Sequence, residues 1–310
     1  MDIFVTGATG VLGRRVVPLL MRSGHHVTAL ARTDAKAADL TDQGAEPVVG
    51  SLFDTDAMAT AVAGHDAVLN LATSIPTGRA AATKRGWATN DRIRREGSAV
   101  VASAARSAGI DRLVQESITF PYADAGADWI TEDGAIEHHW GTEAVAEAEA
   151  NALRAAEGVV LRFAMFVSAE SGHVQSFVGG ARRGLFALPG SPSTYFSMID
   201  ADDAAAAVVA ALGLAPGVYN VVEDEPATRA DLATAMAAAA GRNKLRRIPD
   251  VAARMGGAPA RAMMRSMRVS NQRLRSSSDW APATPSVAGA WERYQDVTPP
   301  TGAANPRRSR

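Results

Sequence analysis

The sequence predicts an α/β fold, a doubly wound parallel sheet with a smaller C-terminal lobe, on three observations. A short apolar run, Ile3-Phe4-Val5, passes through Thr6-Gly7-Ala8-Thr9-Gly10-Val11-Leu12-Gly13 into a helical pattern. Apolar runs then alternate with helical segments as far as Phe163, the rhythm of a parallel sheet covered on both faces. Beyond Phe163 the rhythm breaks, and Gly172, Gly179-Gly180, Gly184 and Pro189-Gly190 punctuate shorter elements.

The elements follow in order. Arg14 to Met21 repeats apolar residues at helical spacing and stops at Ser23-Gly24, and His26 to Leu30 is the second strand. A helix from Asp34 to Asp42 leads to strand three at Pro47-Val48-Val49, and a helix from Asp54 to Ala63 leads to strand four at Ala67 to Leu71. A long helix from Gly86 to Ala108 precedes strand five at Arg112 to Gln115, and a helix from Trp140 to Ala156 precedes strand six at Val159 to Phe163. Tyr195 to Ile199 with the helix Asp202 to Leu212 is expected to return to the sheet. Val218 to Val222, a helix from Arg229 to Ala240 and the Met-rich stretch Val251 to Met267 complete the second lobe. The expected organisation is a Rossmann-type domain over 1–165 with a returning strand and helix near 195–222, a substrate lobe over 166–295, and a disordered tail over 296–310.

A strand entering a helix through three glycines is a phosphate cradle. Gly7 allows a sharp turn, Gly10 lets a pyrophosphate approach where a Cβ would collide, and Gly13 lets the helix pack on the strand. Thr9, Val11 and Leu12 complete the loop, whose helix presents free N–H groups and a positive dipole end to the anion. In such a sheet Gly7, Arg32, Asn70 and Ser117 gather at the carboxyl ends of the strands.

Composition narrows the function. A net charge of −1 over 310 residues gives no reason to expect nucleic acid or an anionic membrane as partner. Cysteine is absent, which removes disulfides, thiolate nucleophiles and sulfur-rich metal sites together, and no metal site is expected. No stretch approaches spanning length and no signal peptide is visible, so a cytoplasmic location is expected. Asp202, beside Asp200 and Asp203, reads as a helix N-cap, and Met255, Met263, Met264 and Met267 as core.

With the TGATGVLG loop, Gly50-Ser51-Leu52-Phe53-Asp54, Asn70-Leu71-Ala72, Asn90 with Gly97, Val160-Leu161-Arg162-Phe163 and Ile199 to Ala204, the chain resembles the extended short-chain dehydrogenase/reductase superfamily, in particular its epimerase/dehydratase group. The resemblance covers Met1 to Trp291. It implies that Asp54 contacts adenine, with Leu52 beside it, that Asn70 to Ala72 line the nicotinamide side, that Asn90 belongs to the cofactor site, and that a homodimer pairs through the helices at Gly86 to Ala108 and Trp140 to Ala156.

The family's catalytic pair is Tyr-x-x-x-Lys. The four tyrosines here, Tyr122, Tyr195, Tyr219 and Tyr294, are followed four positions on by Gly126, Ile199, Glu223 and Thr298. Counting back from Glu147 puts His139 and Glu143 at the pair's positions, and counting from Glu149 puts Gly141 and Val145 there. His139, oriented by Glu143, is one candidate general acid or base, and Ser117 and Tyr122 are the others, with Thr119 fitting nearly as well as Ser117.

Discrimination between the two cofactors falls just after the second strand, where an acid binds the ribose 2′-OH or an arginine accepts the 2′-phosphate. Arg32 stands there, with Arg14 within reach and Asp34 as the acidic alternative, so the expected cofactor is NADP, with NAD second. His173, Gln175, Arg182 and Arg183 lie on the lobe expected to cover the crevice. The expected function is an oxidoreductase or epimerase/dehydratase-like enzyme passing hydride to or from a small hydroxy, carbonyl or nucleotide-sugar-like substrate. A non-catalytic NADP(H)-binding sensor is the alternative.

Overall fold

The computed structural model describes residues 1–76, 78–255 and 257–294. The sheet strands are β1 (Asp2–Thr6), β2 (His26–Ala31), β3 (Glu46–Val49), β4 (Ala67–Asn70), β5 (Arg112–Ile118), β6 (Glu157–Phe163) and β7 (Gly217–Val221). All pair in parallel, in the order β7-β6-β5-β4-β1-β2-β3. The order reverses at β1, where Ile3 is flanked by Val27 and Ala67, and ligands of such sheets bind outside this reversal.

Burial on both faces follows from the two-residue strand period. Ile3 and Val5 join Val16, Val17 and Leu20 of helix α1 (Gly13–Arg22), whereas Phe4 faces Met58 and Val62 on the opposite side. Helix α2 (Asp34–Thr41) starts on a Thr33 cap, and α3 (Thr55–Val62) on an Asp54 cap.

The long helix expected from Gly86 to Ala108 is three pieces. Thr83 caps α4 (Lys84–Arg92), a π turn spans Ile93–Gly97, and α5 (Ser98–Ser107) continues. A Cβ on Gly97 would stand 2.6 Å from Leu52 Cδ2, so glycine here lets the helix close on the loop after β3. Helix α6 (Glu143–Ala152) begins three residues later than Trp140, because Thr142 and His139 fold into a turn held by the His139 N–H donating to Thr142 Oγ1 at 3.0 Å.

The seventh strand, the one that returns to the sheet, is Gly217–Val221 and not Tyr195 to Ile199. Met198–Asp200 instead pairs with Met165–Val167, a continuation of the chain just past β6, and Tyr195–Phe196 pairs with Ala227–Thr228. After helix α7 (Gly172–Arg182), helix α8 (Ala201–Ala210) is capped by Asp200 accepting from the Asp202 N–H at 2.8 Å. Asp202 is therefore not the cap; it pairs with Arg15 at 2.6 Å.

The lobe and sheet share one core, which runs from Ile3 to Tyr294. Buried polar groups fasten it. Asp203 accepts from Ala283 and Thr284 N–H groups at 2.8 and 2.9 Å, and Glu223 accepts from Met198 and Val287 at 2.8 and 2.6 Å. Burial pushes the Glu223 carboxyl up to about 8. Arg229, at the start of helix α9 (Arg229–Ala239), has no surface exposure and donates to Pro189, Tyr195, Met263 and Arg265 carbonyls and to Thr194 Oγ1. Five donors meeting five oxygens let a lone guanidinium stay inside. Met267 is core as expected, whereas Met255 is 85% exposed at the end of helix α10 (Asp250–Arg254). The tail expected over 296–310 lies outside the described residues.

Candidate cofactor and active site

The glycine loop has the geometry that a pyrophosphate requires. Gly7 sits at φ +71, and a Cβ there would lie 2.5 Å from the Leu71 carbonyl carbon and oxygen. At Gly13 a Cβ would come within 2.3 Å of the Gly7 carbonyl oxygen. At Gly10 it would meet only that oxygen, at 3.2 Å, so the remaining space around Gly10 is open. Helix α1 carries no side-chain N-cap; its N-cap position is Leu12. An uncapped helix start behind an open glycine fits a dinucleotide's phosphates, and Gly7 and Thr9 to Gly13 would hold them.

Arg32 is exposed at the end of β2 and makes no hydrogen bond or ion pair among the described residues. Arg14, also exposed, donates to the Thr9 carbonyl at 3.0 Å and so braces the loop. Asp54 has a local partner, its Oδ1 accepting the Ala57 N–H at 3.0 Å as the cap of α3. Asn70 is buried, its Oδ1 accepting from Thr6 Oγ1 at 2.6 Å and its Nδ2 donating to Gln115 at 2.8 Å. Its side chain ties the ends of β1 and β4 to the middle of β5, and only the backbone that follows faces the glycine loop. Asn90 accepts the Ser74 N–H at 3.0 Å, which fixes the segment after β4.

Ser117 and Tyr122 have no exposed surface. Ser117 Oγ donates to Glu149 Oε1 at 2.5 Å, and Arg162 grips the same carboxylate through Nε at 2.9 Å and Nη2 at 2.7 Å. Arg162 Nη1 donates to Tyr122 Oη at 2.9 Å, and Tyr122 donates to Asn220 Oδ1 at 2.8 Å. Burial pushes the Tyr122 phenol up, away from use as a base at neutral pH. Both hydroxyls are thus spent inside an internal network. Sequence reasoning missed its centre, the Glu149–Arg162 pair; an arginine within the apolar run Val159 to Phe163 was the signal, since a buried cation requires a partner.

A second internal pair, Arg94 with Glu116 at 2.9 Å, lies under the π turn, and burial pushes the Glu116 carboxyl up against the opposing pull of Arg94. His139 is half-buried. Its Nδ1 accepts the Gly141 N–H at 3.0 Å, so the neutral ring carries its proton on Nε2. Burial, then Arg265, pushes its pKa down. Glu143 does not orient it, because Glu143 stands 3.9 Å from Arg95 instead. His173 turns inward, its Nε2 against the Phe166 carbonyl.

Sheet order and open glycine loop define a dinucleotide-binding protein of the Rossmann type. A family model described as NAD(P)H-binding matches residues 7–212, and the chain belongs to that family, whose cofactor is a nicotinamide dinucleotide. A 3-diazoavenalumate denitrifying reductase of a Streptomyces species is 32% identical over 302 residues, 92% of this chain and 97% of that one. A 4-hydroxy-2-methyl-3-oxo-4-farnesyl-3,4-dihydroquinoline-1-oxide ketoreductase of Stigmatella aurantiaca is 33% identical over 127 residues, 40% of this chain and 35% of that one. In fold, the chain is similar to human epimerase family protein SDR39U1 with NADPH, at TM-score 0.77 and 22% identity, covering 96% of this chain and 100% of the other. The likeness to epimerase family protein SDR39U1 is one of fold.

Proposed function

We propose that the chain is an NADPH-preferring reductase whose acceptor needs no proton from the protein. The observation that carries this reading is the Glu149–Arg162 pair. It supports counting the family's helix from Glu149, and in that count Gly141 and Val145 stand where the tyrosine and lysine would be.

When bound, the reduced nicotinamide supplies a hydride. The chain's own contribution near Gly141 is small in acid–base terms. A Cβ at Gly141 would lie 3.0 Å from His139 Cε1 and 3.6 Å from Trp87 Cε2, so an imidazole edge and an indole edge border the space. His139, kept neutral by burial, offers a hydrogen bond through Nε2–H but is a poor proton source. An acceptor suited to such a site discharges its electron pair onto a leaving group instead of onto an oxygen that must be protonated. A diazo group, lost as dinitrogen, is of this kind, and the Streptomyces relative is named for such a compound. The second reading, a sensor that binds the cofactor without turnover, is favoured by the burial of Ser117 and Tyr122.

The NADP preference rests on Arg32. A guanidinium–phosphate hydrogen bond contributes roughly 1.5–3 kcal/mol, so Arg32→Ala is expected to weaken NADPH binding about tenfold to a hundredfold and leave NADH unchanged. Fluorescence titration of both reduced forms checks it; equal wild-type affinities for the two would remove the preference.

A further inference from the structure

A net charge of −1 conceals an uneven distribution. From Arg242 to Arg275 the chain carries ten arginine or lysine residues against one carboxylate, Asp250. Arg265, Arg273 and Arg275 are neutralised by Glu137, by Glu132 with Asp133, and by Asp224. Arg247 and Arg268 lie over aromatic rings. Arg242, Lys244, Arg246, Arg254 and Arg261 remain exposed, with no ion pair among the described residues.

Apolar side chains stand in water on the same surface. Val251 on α10 is 74% exposed and Met255, the C-cap that follows the helix with αR backbone, is 85% exposed, four residues on and so on the same side. Ile248 precedes them, and Leu185, 44% exposed, is the register partner of Arg246 where Leu185–Phe186 pairs with Arg246–Arg247. The Arg242 guanidinium lies 3.4 Å from a Cβ position on Gly184, next to Leu185, so cations and apolar groups are interleaved. Helix α11 (Gly257–Met264) continues from this segment and packs on the turn at Gly78–Ala82, which follows β4.

We propose that this face docks on an anionic lipid bilayer, its arginines and lysine meeting the phosphates and Val251, Met255, Ile248 and Leu185 entering the headgroup boundary. Interleaved cations and exposed aliphatics satisfy the two requirements of interfacial binding together, attraction to negative surface potential and burial of apolar area, and Asp250 is the one opposing charge within the basic stretch. No helix among the described residues is long and apolar enough to cross a membrane, so the contact is peripheral.

The full chain is floated with vesicles of phosphatidylcholine alone and with vesicles containing phosphatidylglycerol. The expected result is at least about tenfold greater partition onto the anionic vesicles, falling as salt rises from about 0.1 M to about 0.5 M. The double variant Val251→Asp with Met255→Asp is expected to fall to the level of neutral vesicles while keeping its NADPH affinity and thermal midpoint, which shows that it is folded. Equal partition onto both vesicle types, or a variant that floats like the wild type, would overturn the proposal. So would a sedimentation-velocity dimer that the variant dissociates, which would give this face to a second copy. Turnover enters none of these readouts, so failure here is separable from failure of the reductase assignment.

Discussion

Gly7→Ala is expected to abolish NADPH binding and lower the thermal midpoint together. The residue sits at φ +71, a region that costs an L-residue roughly 1–2 kcal/mol. The larger obstacle is contact, since the new Cβ would stand 2.5 Å from the Leu71 carbonyl and 2.7 Å from the Ala72 nitrogen, backbone that continues from β4 in the middle of the sheet. Backbone held by neighbours on both sides cannot yield a full ångström, so the loop itself must move. Titration with NADPH and thermal unfolding of the same sample check the expectation. Unchanged values of both would contradict the assigned loop geometry.

Glu149→Ala is expected to be the most destabilising single change in the internal network. It strips Arg162 of both carboxylate contacts and Ser117 of its acceptor, while both charged side chains of the pair are only 11% exposed. Breaking a buried pair from one side costs about 3–5 kcal/mol, because the remaining charge is left without compensation. Urea denaturation measures it, and a loss below about 1 kcal/mol, the range of surface ion pairs, would mean that water reaches Arg162 in solution. Replacement by glutamine keeps the shape and some hydrogen bonding, and separates charge from packing.

The sheet was legible because its causes are local. Ile3, Phe4 and Val5 report a strand buried on both faces, and Gly7 and Gly13 report a turn that nothing but glycine fits, with Gly10 leaving open space between them. What local pattern could not convey was partnership over long separations. Val218 to Val222 reads as a strand, but only the free edge of β6 makes Gly217–Val221 the seventh strand, while Met198–Asp200 is claimed by Met165–Val167. Asp202 reads as the cap by type and place, but Arg15, 187 residues away, takes its carboxylate and Asp200 caps the helix. Ser117 and Tyr122 were sound chemical candidates by type and place, and their burial against Glu149, Arg162 and Asn220 depends on three separate elements. The interruption at Ile93–Gly97 had no sequence signal beyond Gly97, whose close approach to Leu52 is tertiary.

Delivery of hydride without a protein proton relay is tested most directly by following deuterium from NADPH labelled at C4 into product, with an arenediazonium carboxylate and an aromatic aldehyde as rival acceptors. The predicted result is transfer to the ring carbon of the diazonium compound at a rate that is flat between about pH 5.5 and 7.5, with the aldehyde left unreduced, because no titrating acid takes part. Reduction of the aldehyde at a comparable rate, with a bell-shaped pH profile, would contradict it and put an acid–base group back beside Gly141.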